Sequence, residues 1–318
     1  MKFIDLHVDT LLYLRRNPHE TMLKNSASVD FERMRLGGCA AQFFAIFLPP
    51  QERLLQLEPP LSDEAFINAL FEIFSRDVAA CGDIGWVRSF ADFAANEAAG
   101  KMSAFLTFED GRAVDGCLDK LKAYYERGIR LITLTWSGRN CFGSSCYEEA
   151  SEPLTAFGRE AVAAMNDLGI IVDVSHLSDG GFWNVAEISK KPFVASHSNA
   201  RALSPHPRNL TDDMLKALGN AGGCAGINFC GSFLNEDVKD DRSTIAAMVR
   251  HAKHIKNAGG MGCVALGSDL DGISSELELG CISKVPLLWD ALAAAGFTSA
   301  EIEAAAYGNA RRVLEAVL

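Results

Sequence analysis

Three histidines and three carboxylates carry the chemistry that the sequence offers: His7, Asp9, Glu109, His176, His197 and Asp269. Imidazole and carboxylate together suit zinc and similar divalent ions. His7 and Asp9 stand two apart at the end of an apolar run that opens at Phe3. In a strand that spacing points both side chains to one face, which makes half of a metal site. A His-x-Asp pair alone is weak ground, because an Asp capping a turn beside a buried His has the same letters. Arg208, in the proline-bounded stretch Ser204-Pro205-His206-Pro207-Arg208, adds a guanidinium suited to a carboxylate held in a bidentate fork.

The elements that must position these residues alternate along the chain. Strand-like runs cover Phe3 to Val8, Cys39 to Phe47, Ser103 to Phe108, Ile129 to Thr135, Ile170 to Val174, Pro192 to Ala195, Gly223 to Phe229 and Cys263 to Gly267. Between them the apolar spacing predicts helices over 30–38, 63–80, 117–127, 153–168, 179–190, 211–220 and 242–257, and two more, 286–295 and 299–317, close the chain. Ser62 or Asp63 is placed to cap the helix over 63–80, and Pro153 falls in the first turn of the helix that ends before Gly169. Eight strands alternating with helices, with no linker between halves, argue for an α/β chain folded as a single (β/α)8 TIM barrel domain over residues 1–318. A doubly wound sheet is disfavoured because no Gly-x-Gly-x-x-Gly follows the first strand. On the barrel plan all six residues fall at the C-terminal ends of strands, where barrel enzymes build their sites. So many donors on one rim would stay unpaired or repel unless cations lay among them, and two divalent ions would satisfy the set. His19 is expected on a surface loop, and His251 and His254 on the solvent side of a helix; His206 is expected to hold its loop.

Composition sets the boundaries. With 30 basic and 41 acidic side chains the net charge is -11, which leaves no footprint for nucleic acid or for an anionic membrane. Nine scattered cysteines without a Cys-x-x-Cys read as reduced thiols of a cytoplasmic protein, and no signal peptide or membrane span is expected. The stretches 49–62 and 136–152 are long enough to serve as a lid or as the contact of a homodimer.

Seven stretches together resemble the membrane (renal) dipeptidase family of binuclear zinc peptidases, peptidase family M19. They are DLHVDT at 5–10, FEDG at 108–111, DVSHLSD at 173–179, SHSNAR at 196–201, HPRNLTDD at 206–213, GSDLDG at 267–272 and YGNARRVLEAV at 307–317. The resemblance implies His7 and Asp9 on one zinc, His176 and His197 on the other, and Glu109 bridging both. It implies further that Asp269 handles the proton of a bridging water and that Arg208 binds the C-terminal carboxylate of a small dipeptide substrate, whose C-terminal residue could be of D configuration. One position departs. Family members of known activity carry a His after the fourth strand that holds the substrate; here Leu134-Thr135 is followed by Trp136. An indole donates one hydrogen bond and cannot be protonated; Trp136 is expected to meet the substrate there, and Arg139 or Asn140 could replace the lost donor. Cys230, where many relatives have Tyr, is expected to alter the pocket wall. The competing readings are a metal hydrolase of another small amide or lactone, and a non-catalytic binder on the same fold.

Overall fold

A computed structural model describes residues 1–318. Eight parallel strands close on themselves: β1 (Phe3–Val8), β2 (Cys39–Phe47), β3 (Met102–Glu109), β4 (Ile129–Thr133), β5 (Ile171–Asp173), β6 (Val194–Ala195), β7 (Cys224–Ile227) and β8 (Val264–Leu266). Neighbours pair in the order β2-β1-β8-β7-β6-β5-β4-β3, and β2 pairs with β3 from Ala41↔Ser103 to Phe47↔Glu109 to complete the ring. The fold is the TIM barrel that the alternation of elements predicts.

The strands are buried on both sides, as a barrel wrapped in helices demands. Alternation puts Phe105, Thr107 and Glu109 on one face of β3. Phe105 belongs to a cluster with Ile4, Leu6, Phe43, Leu131 and Ile171, joined by Phe93 and by the last helix through Val313, Leu314 and Val317. Leu106 and Phe108 face the other way and belong to the larger cluster with Phe66, Phe74, Leu121 and Val162 of the surrounding helices. Ser62, rather than Asp63, caps the helix Asp63–Ala80, accepting from the Ala65 amide at 3.1 Å.

Several expected bounds shift. The helix expected from Pro153 begins at Ala156, because Thr155 takes the cap by accepting from the Gly158 amide, and Gly169 ends it at φ 83°. The helix expected from Arg242 is Ile245–Gly259, since Arg242–Ser243 pairs instead with Glu276–Leu277. The last helix is one path, Ser299–Val317, loosened to a π-turn at Ala304–Gly308. Elements outside the sequence expectation include helix Thr10–Arg16, helix Gln51–Leu55 inside the expected loop, a short strand Ile84–Trp86 on the edge of β3, helix Phe90–Ala98 and helix Gly231–Leu234. No helix is long and apolar enough to cross a membrane.

Candidate metal centre

The rim of the barrel brings together all six of the residues singled out above. His7 Nε2 lies 3.3 Å from Asp9 Oδ2, 3.6 Å from Glu109 Oε2 and 3.8 Å from Asp269 Oδ1. On the other side, Glu109 Oε1 lies 3.0 Å from His176 Nε2 and 3.5 Å from His197 Nε2, and those two nitrogens are 3.0 Å apart. The two oxygens of Glu109 thus face two different groups of donors. Every residue of the set is buried, from His197 at 0% to His176 at 8% exposure.

Local backbone aims these side chains. Asp9 occupies the position before helix Thr10–Arg16, yet its side chain makes no capping bond there and turns to His7 instead. That removes the turn-capping alternative for the pair. His176 and Asp269 adopt left-handed backbone, φ 68° and 61°, a conformation that costs a side-chain-bearing residue roughly 1–3 kcal/mol and tends to gather at functional sites. Each is held there: the Cys146 amide donates to the His176 carbonyl at 2.7 Å, and the Asp269 amide to the His7 carbonyl at 3.1 Å. Gly272 approaches so closely that a Cβ there would run into Asp9 Oδ2 and lie 2.8 Å from Asp269 Oδ1.

The electrostatics call for a cation. Burial raises Glu109 well above the usual carboxylate range, with Asp9 adding to it, and raises Asp269 to about 6. Burial alone would depress His7, but Glu109, Asp9 and Asp269 outweigh it and raise the imidazole to about 10. Burial holds His176 and His197 well below the ordinary histidine range, so they are neutral, the form that ligates metal. Asp9 Oδ1 is buried without any partner, an arrangement that is costly unless a cation meets it. The donor set therefore fits divalent metal.

Beside the cluster lies a cavity of about 190 Å³, lined by Asp9, Glu109, His176 and Asp269 on its floor and by Phe47, Trp136, Tyr147, Arg208, Phe233 and Ile273 among its walls. Arg208 is 2% exposed, with Nη1 donating to Ser198 Oγ and Nη2 to the His197 carbonyl, each at 3.2 Å, while Nε has no partner. Trp136 packs edge-on against Phe47, with ring centroids 4.7 Å apart. A larger groove of about 770 Å³ lies elsewhere, but its Arg112, Lys120 and Arg139 are already paired with Asp63, Asp115 and Glu152.

The substitutes expected for the missing histidine do not serve. Arg139 reaches out to Glu152, and Asn140 donates to Asp110 Oδ1 and to the Leu134 carbonyl, which fixes the loop. Trp136 and Tyr147 are what that loop presents to the cavity. Cys230 turns to the hydroxyls of Ser232 and Ser275 rather than to the cavity. His251, expected to face solvent, is fully buried, accepting from the Ala200 amide at Nδ1 and meeting the Leu234 carbonyl at Nε2, both at 3.1 Å. His254 is half-buried and pairs with Asp212. His206 accepts from the Arg208 amide at 3.2 Å and His19 is exposed.

Sequence reasoning passes over the residues beneath the rim. Asn228 donates to Asp269 Oδ2 at 2.8 Å and to the His197 carbonyl at 3.1 Å. Asp5 and Asp173 hold Ser268 and Ser196, the residues just before Asp269 and His197. A signal is present: each Asp interrupts an apolar strand, and a buried carboxylate must find partners.

The sequence profile of the membrane dipeptidases, peptidase family M19, matches residues 1–318. The chain belongs to that family. An uncharacterised dipeptidase of Schizosaccharomyces pombe is 32% identical over 294 residues, which cover 86% of this chain and 69% of the yeast protein. A metallopeptidase of Rhodobacter sphaeroides, solved with a phosphinate mimic of the dipeptide L-Ala-D-Ala, is 31% identical and superposes with a TM-score of 0.90 over 100% of this chain and 99% of its own. The probable dipeptidase PvdM of Pseudomonas aeruginosa, 19% identical with a TM-score of 0.85 over 100% and 95% of the two chains, shares the fold. This M19 chain is thus a metallo-dipeptidase, and its family implies divalent metal ions.

Proposed function

We propose that the chain is a binuclear zinc dipeptidase, acting on small dipeptides that include a C-terminal residue of D configuration. The observation that carries the reading is the split of Glu109: Oε2 faces His7 and Oε1 faces His176 and His197. His7 and Asp9 would hold one ion, His176 and His197 the other, and Glu109 both. When bound, two such ions polarise the scissile carbonyl and make water nucleophilic near neutral pH.

The chain's own residues do the rest. Arg208, anchored by Ser198 and the His197 carbonyl, takes the substrate's C-terminal carboxylate and so sets which end of the dipeptide enters first. Asp269, with Oδ2 occupied by Asn228 and Oδ1 turned toward His7, takes a proton from the attacking water and passes it to the leaving amine. Phe47 and Trp136 form an apolar wall of the cavity that a dipeptide side chain would meet. The D configuration rests on the R. sphaeroides relative and its dipeptide mimic.

A panel of dipeptides with L or D residues at the C-terminal position, together with their C-terminal amides and N-acetyl forms, tests the reading. Cleavage of free dipeptides and rejection of the amides is the expected result. Hydrolysis of lactones or amides lacking a carboxylate, at equal or greater kcat/KM, would move the chain to another substrate class.

A further inference from the structure

We infer that Asp173 and Ser196 are positioning residues that fix the tautomer of His197 and thereby keep its Nε2 free to bind metal. The inference rests on the binuclear reading above and adds residues to it. Asp173 Oδ2 receives Ser196 Oγ at 2.6 Å and Thr133 Oγ1 at 2.5 Å; its Oδ1 receives the amides of Ser175 and Ser196 at 3.0 and 2.8 Å. As a carboxylate it only accepts. Ser196 has one hydroxyl proton, and Asp173 takes it. Ser196 Oγ also lies 2.7 Å from His197 Nδ1, where it can only accept. The ring proton of His197 therefore sits on Nδ1, and Nε2, 3.5 Å from Glu109 Oε1, carries the lone pair.

Neither of the other two histidines is fixed this way. His7 Nδ1 and His176 Nδ1 are both buried without a hydrogen-bond partner. The clamp itself occurs twice. Asp5 receives the Ser268 amide at 2.8 Å and Ser268 Oγ at 2.6 Å, beside Asp269, in the same bonding pattern that Asp173 uses on Ser196 beside His197. At Ser268 the following residue is a carboxylate with no tautomer to choose, so that clamp places backbone only. Partners of this kind on a ligand imidazole are generally worth 10- to 100-fold in metal affinity.

The test uses the full chain loaded with zinc. Chelator competition on wild type and Ser196→Ala should show one of two zinc equivalents weakened by about 10- to 100-fold and the other unchanged. Ser196→Thr, which keeps the hydroxyl, should restore wild-type binding. Nitrogen-edited spectra should show a His197 Nδ1–H resonance in wild type and in the Thr variant that is lost from the Ala variant. Two equivalents held at wild-type strength by Ser196→Ala, or a proton found on Nε2 of His197 in the metal-stripped wild type, would overturn the positioning role alone. A wild-type chain holding fewer than two ions would instead overturn the binuclear reading beneath it.

Discussion

Replacing Arg208 by Ala perturbs one interaction whose size the structure lets us work out. Arg208 is 2% exposed and spends one hydrogen bond on Ser198 and one on the His197 carbonyl, while Nε is buried with no partner. A guanidinium so placed still lacks an acceptor for at least one donor, and on the proposed function a substrate carboxylate would supply it. A hydrogen bond to a charged group contributes about 1.5–3 kcal/mol, and each 1.4 kcal/mol is tenfold. Arg208→Ala should therefore raise KM for a free dipeptide by roughly 10- to 150-fold and change kcat much less, since the carboxylate is held alike before and during the reaction. The assay is steady-state hydrolysis of a dipeptide and of its C-terminal amide by both enzymes. The amide has already lost the interaction, so its kcat/KM should differ little between wild type and variant. Equal losses on dipeptide and amide would refute the assignment, because they would place Arg208 in scaffolding rather than in carboxylate recognition.

Other perturbations reach different parts of the site and the fold. Asp269→Asn should keep both metals and lose about 10²- to 10⁴-fold in kcat, measured by turnover beside elemental analysis; full activity would remove Asp269 from proton transfer. Gly272→Ala should fold, by circular dichroism, yet hold metal poorly, because its Cβ meets Asp9 Oδ2 and Asp269 Oδ1. His251 is buried neutral, lowered from 6.5 to about 4 by desolvation. Below pH 6.5 the unfolded chain gains a proton that the folded chain refuses, so stability should fall from pH 6.5 to 4 and level off below, by on the order of 3 kcal/mol. Urea unfolding of wild type against His251→Gln checks this, and an equal pH dependence in both would contradict it.

Much of the barrel and of its rim is legible in the sequence because two simple periods carry them. Alternating apolar strands and helices imply the closed sheet, and the C-terminal strand ends gather His7, Asp9, Glu109, His176, His197 and Asp269. The 84–98 segment escapes because Ile84–Trp86 is too short to show a period, although Ser89 and Asp92 spell the cap of the helix that follows. His251 misleads because two residues three apart on a helix look alike in sequence; only the packing against the Ala200 loop tells them apart. The walls of the cavity are least legible. Phe47 ends a strand, Tyr147 and Ile273 lie in two loops and Phe233 in the short helix Gly231–Leu234, and nothing in their spacing announces that they meet. The stretch 136–152 does line the pocket, yet Arg139 and Asn140 are the wrong residues within it: one is drawn outward by Glu152 and the other is consumed by Asp110.

On the proposed function Glu109 would serve two metal ions at once. Elemental analysis of wild type and Glu109→Gln, each stripped with chelator and reloaded with excess zinc, tests it most directly alongside dipeptide turnover. The expected result is two zinc ions per wild-type chain, turnover lost on stripping and regained on reloading, and a variant in which both ions are weakened together. One ion per wild-type chain, or a variant that loses one ion and keeps the other at full strength, would contradict it.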